Sequence, residues 1–288
     1  MHLPYPRSGL VRTCLRVLHL CGITCIASGM IVAARAACPS SMLGATAELG
    51  LAVFRDQNGQ PAGIIVDMYR ELGRRSACPV DVQLIPPARM MAMRDHNQIP
   101  MVAPSSAAVV NLYKGSIFVP MFVSHMDLIV HKQFAKGISA HSISDPNIRF
   151  GVMRGARYGD WADKFISSIP DAQRVVVNSV ENIYRMMEAG RIQATFGNDY
   201  VYRYYLKQMA HADDFLIVHL KELPTVDVGP ALLNPPLSEA DLQLLITHLK
   251  GMRDDGTMEK ILSQHFDPQT SRSLSLPTLH QSEVRATK

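Results

Sequence analysis

Between residues 79 and 220 short apolar runs alternate with helix-period segments, and this alternation limits the fold more than any other feature. Residues 79–85 alternate apolar and polar side chains, as a half-buried strand does. Pro86, Pro87, Ala88 and Arg89 then open a Met-rich helix, with proline tolerated in its first turn. Residues 101–106 read as a short strand entering a polar loop, and residues 127–131 as another strand. Further on the spacing predicts strand 174–177, helix 180–189, strand 194–196, helix 200–207 and strand 216–220. Strands separated by helices of this length build βαβ units and a mainly parallel sheet.

The flanking segments extend the pattern. Asn58-Gly59 marks a turn, and Ile64, Ile65, Met68 and Leu72 follow at helical spacing to about Arg74. Residues 227–233 form one more strand. Ser238 caps a helix with Leu242, Leu245, Ile246 and Leu249 on one face. Asp255-Gly256-Thr257 ends it and starts another, with Met258, Ile261 and Leu262 facing inward. From Pro268 the chain is rich in Ser, Thr and Gln and reads as a flexible tail.

The chain has 288 residues and a formal charge of +4, but its first 36 residues hold Arg7, Arg12, Arg16 and Arg35 and no acid. The remaining 25 basic residues balance 25 acidic ones, which gives no reason to expect nucleic acid or an anionic membrane as partner. The same 36 residues have the order of a secretory signal peptide. Three arginines precede an apolar run over 17–34, and Ala34-Arg35-Ala36 supplies small residues at a cleavage site, so the mature chain is expected to begin at Ala37 in the periplasm. A retained anchor is the rival reading, against which His19, Gly22, Ser28 and Gly29 dilute the run. A lipidated Cys38 is a third, with Arg35 badly placed for it.

Cleavage removes Cys14, Cys21 and Cys25 and leaves Cys38 and Cys78. Two cysteines in an exported chain most simply form one disulfide, the alternative being two buried thiols. No Cys or His neighbourhood has metal-ligand spacing, and Met90, Met91 and Met93 read as core filler, so neither metal nor cofactor is expected.

Residues 149–161 join a short apolar strand, a glycine turn and the first turn of a helix. That geometry points backbone N–H groups and a helix dipole forward, where Arg157 could grip an anion in two-pronged fashion; an ordinary βα connection is the plainer reading. Four patterns occur in order: Gly59–Met68 (G-x-P-x-G-x-x-x-D-M), Arg154–Asp160 (R-G-A-R-Y-G-D), Ala189–Ala194 (A-G-R-I-Q-A) and Asp254–Leu262 (D-D-G-T-M-E-K-I-L). Together they resemble bacterial solute-binding protein family 3, the periplasmic polar amino acid-type substrate-binding proteins of ABC transporters, over residues 45–266.

The resemblance implies a two-lobed, type II-like α/β fold with two crossover strands, placed at residues 128–132 and 220–228. It implies a first lobe from 37–128 and 224–267, a second from 129–223, and a tail over 268–288. It also implies a small polar ligand held between the lobes, an ABC-transporter permease as partner and a monomer. By the same resemblance Phe54 covers the ligand, Ser105 and Ser106 supply hydroxyls, and Arg157 and Tyr158 stand on the second lobe's loop. Asn111 falls where the family has a carboxylate-binding arginine, and Asn198, with Asp199 beside it, where the family has an ammonium-binding aspartate. An asparagine cannot replace that arginine's charge, so either Arg157 or Arg89 takes the anion or the ligand is not a free α-amino acid. Helix capping accounts equally well for Asn198 and Asp199.

A binding protein delivering a ligand to a transporter is therefore the leading expectation, and a partner- or ligand-sensing protein the second. A dehydratase acting on cyclic acids resembles the same fold, but His96, His125, His131 and Glu181 form no recognisable catalytic constellation. No enzyme activity is expected.

Overall fold

The structure is a computed structural model that describes residues 41–110, 114–139, 142–223, 225–276 and 284–285. In chain order it begins with β1 (Met42–Thr46), then a 3-10 turn at Gly50–Ala52 and the hairpin β2 (Phe54–Arg55) and β3 (Pro61–Ala62). There follow α1 (Ile64–Ser76), β4 (Val80–Leu84), α2 (Pro87–Asp95), β5 (Met101–Ser105), α3 (Ala107–Val110), β6 (Ser116–Phe118) and β7 (Phe122–His131). The chain continues through β8 (Phe150–Met153), α4 (Asp160–Ser168), β9 (Arg174–Val177), α5 (Val180–Glu188), β10 (Ala194–Asn198), α6 (Asp199–Leu206) and β11 (Phe215–Val218). It ends with β12 (Thr225–Leu233), α7 (Glu239–Asp254), α8 (Thr257–Leu262), α9 (Pro268–Leu274) and β13 (Val284–Arg285).

The alternation seen in the sequence produces two half-sheets. In one, β1 runs parallel to β4 and β5; in the other, β8 runs parallel to β9 and β10. The main strand order is β4-β1-β5-β12-β7-β10-β8-β9, so β12 and β7 lie side by side at the middle. Their antiparallel pairing runs from Thr225 opposite His125 to Val228 opposite Phe122. Beyond that patch the strands diverge: β12 pairs with β5 and β6, and β7 with β10 and β11. Two strands that each serve both half-sheets define the two-lobed periplasmic-binding-protein fold expected from the sequence.

Each half has its own reason to be stable. On the first, α1 buries Ile65, Met68, Tyr69 and Leu72 against β4 and α7, and Glu71 holds Arg74 and Arg75. Burying one such aliphatic side chain contributes roughly 1.5–3 kcal/mol. On the second, Phe150, Phe165 and Phe196 meet edge to face at 5.0–5.8 Å, with Trp161 stacked on Phe165. No helix among the described residues is long and apolar enough to cross a membrane.

Two expectations are corrected. The polar stretch after Pro268 is no tail at its start: Asp267 caps α9, Ser271 and Leu274 are buried, and Ser275 bridges to Phe122. Composition misled because only one face of this short helix is covered. The strand expected at 127–131 also starts five residues earlier, since Phe122–Met126 find partners in β12 and β10.

The segment leading into β7 leaves no room for a side chain at Gly229 of β12, where an added Cβ would lie 1.9 Å from the Val119 carbonyl oxygen. Gly229→Ala should therefore destabilise the protein by about 3 kcal/mol, measured as the change in urea midpoint at constant slope.

Candidate functional site

The first half's contribution starts where β1 ends. The chain turns at Glu48 into the 3-10 turn, and Gly50, at φ +58°, comes so near α6 that a Cβ there would sit 2.5 Å from the Tyr200 carbonyl oxygen. Only glycine fits this backbone-to-backbone approach. Arg55 is oriented twice over: Nε donates to Glu48 Oε1 at 2.8 Å and Nη1 to the Gly59 carbonyl at 3.0 Å. Phe54 stacks obliquely on Tyr204 of α6 at 5.3 Å and edge-on to His265 at 6.4 Å.

The second half offers the start of α5. Ser179 caps it by accepting the Asn182 N–H, and Glu181 stands in its first turn, 3.6 Å from Arg185. Tyr205 of α6 stacks face to face on Tyr184 at 4.9 Å. Burial, with Tyr204, Glu181 and Glu48 adding negative potential, pushes the Tyr205 phenol up to about 12. The two glutamates thus converge on one place although they belong to different halves.

A recess of about 300 Å³ opens there, lined by Glu48, Arg55 and Pro86 from one half and Met153, Ser179 and Glu181 from the other. Its walls offer one guanidinium and two carboxylates above an apolar floor of Leu84, Ile85 and Met153, which suits a small polar ligand. Among the described residues no group of three or more His, Cys, Asp and Glu is arranged to hold a metal.

The residues singled out in the sequence do not all gather there. Arg157 is largely exposed and pairs with Asp163 of α4 at 3.3 Å. Tyr158 accepts the Met153 N–H on its hydroxyl and donates its own N–H to Asp163, and burial raises its phenol. Both therefore brace their own turn. Arg89 is exposed on α2, in no ion pair among the described residues. Ser105 is buried at the end of β5, and the Ser106 carbonyl accepts the first N–H bonds of α3. Asn111 and Cys38 lie outside the described residues; Cys78 is buried.

Asn198 and Asp199 do come together with β7. Asn198 Nδ2 donates to Ser124 Oγ at 3.0 Å. Asp199 accepts Ser124 Oγ at 2.9 Å and the N–H groups of Tyr200 and His125 at 2.8 and 3.2 Å. It is 3% exposed, and burial raises its carboxyl despite these bonds. Sequence reasoning missed Glu48, Arg55, Ser179 and Tyr205. Ser179 alone had a local signal, as a cap before an apolar-faced helix.

No protein-family model and no curated protein matches the sequence. Solved structures match the fold. A substrate-binding protein of an ABC uptake transporter from Streptococcus pneumoniae with bound histidine is 14% identical at a TM-score of 0.67, over 79% of this chain and 92% of that one. An ancestral amino acid-binding protein, a precursor of cyclohexadienyl dehydratase, is 18% identical at 0.66, over 79% and 96%. A histidine kinase sensor domain similar to periplasmic binding proteins is 14% identical at 0.63, over 79% and 96%. The chain thus has the fold of the periplasmic amino acid-binding proteins, which solute-binding protein family 3 shares.

The internal bonding separates two roles that substitution can check. Asp199→Ala strands two N–H groups and a hydroxyl and should cost about 3 kcal/mol in chemical denaturation. Arg157→Ala removes an exposed pair and should stay within about 0.5 kcal/mol of the parent.

Proposed function

We propose that this protein captures a small polar ligand between its two lobes and performs no chemistry on it. The observation that carries the reading is the recess to which both lobes contribute charge, Glu48 and Arg55 from one and Glu181 from the other. A fold shared with proteins that bind amino acids supports it. Ligand between two bodies joined by a strand pair favours the closed arrangement by the difference in contacts it makes in each state. Of the residues singled out in the sequence, Phe54, Arg89, Ser105, Ser106, Asn111 and Asn198 stay in the proposed contact set; the described ones lie outside the recess lining, and in this proposal closure brings them to the ligand. Arg157, Tyr158 and Asp199 are proposed to hold the walls in shape.

In the same proposal residues 1–36 direct export and are removed, the mature monomer works in the periplasm, and Cys38 pairs with Cys78. Lobe 1 comprises 37–128 and 224–267 and lobe 2 comprises 129–223, with delivery to an ABC-transporter permease as the outcome of binding. A sensing role is the second reading, favoured by the likeness to a histidine kinase sensor domain.

Thermal-shift screening with amino acids, amines and small organic acids tests the capture step. At a ligand concentration of about 100 Kd the stabilisation expected is about 2.7 kcal/mol, seen as a rise in Tm of a few degrees. A bulky block, Glu181→Trp, should abolish the shift while the ligand-free Tm changes little, since it removes only an exposed pair with Arg185. A flat response across all three ligand classes would overturn the proposal.

A further inference from the structure

A second recess, of about 400 Å³, lies where β7, α6, the segment after β11 and α9 meet, and ligand capture as proposed above makes no use of it. Two buried carboxylates lie in its wall. Asp127, 1% exposed, accepts the Tyr202 hydroxyl at 2.8 Å on one oxygen and lies 2.6 Å from His219 Nδ1 on the other. Asp199, already engaged by Ser124 and two backbone N–H groups, lies 3.4 Å from His125 Nδ1. A carboxylate only accepts hydrogen bonds, so each imidazole turns Nδ1 to its carboxylate and leaves Nε2 as the ring nitrogen facing outward. Both rings are substantially exposed, at 43% for His125 and 76% for His219.

The strand register brings the two rings to one place. Val218 stands opposite Leu128, so the next residue, His219, comes beside Asp127, two residues along β7 from His125. Residues 125 and 127 share a face of the sheet. His125 and His219 are therefore diagonal cross-strand neighbours, a relation that places such residues roughly 7–8 Å apart, within joint reach of two long side chains. Ring nitrogens bind a divalent ion at about 2.0–2.1 Å, so two imidazoles can close this span around one ion.

Charge decides what kind of ligand fits. With neutral imidazoles, Asp127 and Asp199 outweigh Arg203, the one arginine or lysine lining the recess among the described residues, so a cation is favoured over an anion. The carboxylate oxygens are already bonded to Tyr202, Ser124, Tyr200 and the histidines, which leaves few for a hard, oxygen-seeking ion. Nitrogen ligands suit zinc, nickel and copper, and a carboxylate behind each metal-binding histidine is the usual outer arrangement. We propose that His125 and His219 form a two-imidazole site for a divalent transition ion of this class, oriented by Asp199 and Asp127. Water fills the open positions, since no third His, Cys, Asp or Glu completes the set among the described residues.

The test is calorimetric titration of the full, untagged, chelator-washed chain with zinc, nickel and copper chlorides at pH 7.5, with magnesium chloride as control. One transition ion should bind per chain at this site and magnesium should not. His125→Gln and His219→Gln should each weaken binding at least about tenfold, Asp127→Asn about tenfold, and His248→Gln, on α7 and away from the recess, not at all. Lowering the pH to 5.5 should weaken binding by a further tenfold or more, because protons compete for Nε2. Copper broadening of imidazole proton resonances in the unaltered chain gives the same answer without substitution, with two rings affected first. Absence of binding by all three ions at millimolar concentration would overturn the site, as would full binding in either histidine variant that folds, or broadening of a single ring.

Discussion

The antiparallel pairing of β7 with β12 over Phe122–His125 and Thr225–Val228 is the constraint on which the rest of the structure depends. One apolar cluster belongs to the second half-sheet and a larger one runs across both, and these four residue pairs are where the sheet passes from one half to the other. Gly229 of β12 packs closely on Val119 in the segment leading into β7, and Ser124 and His125 hand the β7 side of the junction to Asp199 at the start of α6. A buried carboxylate bonded to Ser124, His125 and Tyr200 is costly to desolvate, yet here it ties β7 to the start of α6. Both recesses border elements anchored to this junction.

Charge follows the same logic. At the recess between the halves the ionised groups are half-exposed, and their contact with solvent keeps the desolvation cost low; beside β7 they are buried and fully bonded. Half-exposed charges can exchange water for a ligand, whereas Asp199 and Asp127 act through the side chains they hold. That contrast explains why the residues most conspicuous in the sequence as ligand contacts turn out bonded to their own surroundings.

Much of the fold was legible because periodicity and burial agree. Val180–Glu188 and Ala194–Asn198 appear where the spacing predicts them, each with its apolar face in a core. Met42–Thr46 was not legible: a five-residue strand covered on both faces and holding Gly44 against Tyr69 and Val80 has neither alternation nor β-branched bulk to announce it. The glycine turn before α4 was readable, with Gly155 and Gly159 at positive φ, but not the fact that Asp163 would draw Arg157 back onto its own helix. Glu48 and Glu181 lie more than a hundred residues apart, and only tertiary structure brings them to one recess.

The C-terminal helix has a further consequence. Residues Pro268–Leu274 lie against β7, Ser275 bridges to Phe122, and β12 itself begins only at Thr225. The junction is therefore built from segments about a hundred and fifty residues apart in order of synthesis. While β7 emerges from the ribosome its central partner does not yet exist, so the first half-sheet stays open on one edge until nearly the whole chain has been made. The molecule acquires its two-body character last, and a fusion or truncation at the C-terminus acts on the joint as much as on an end.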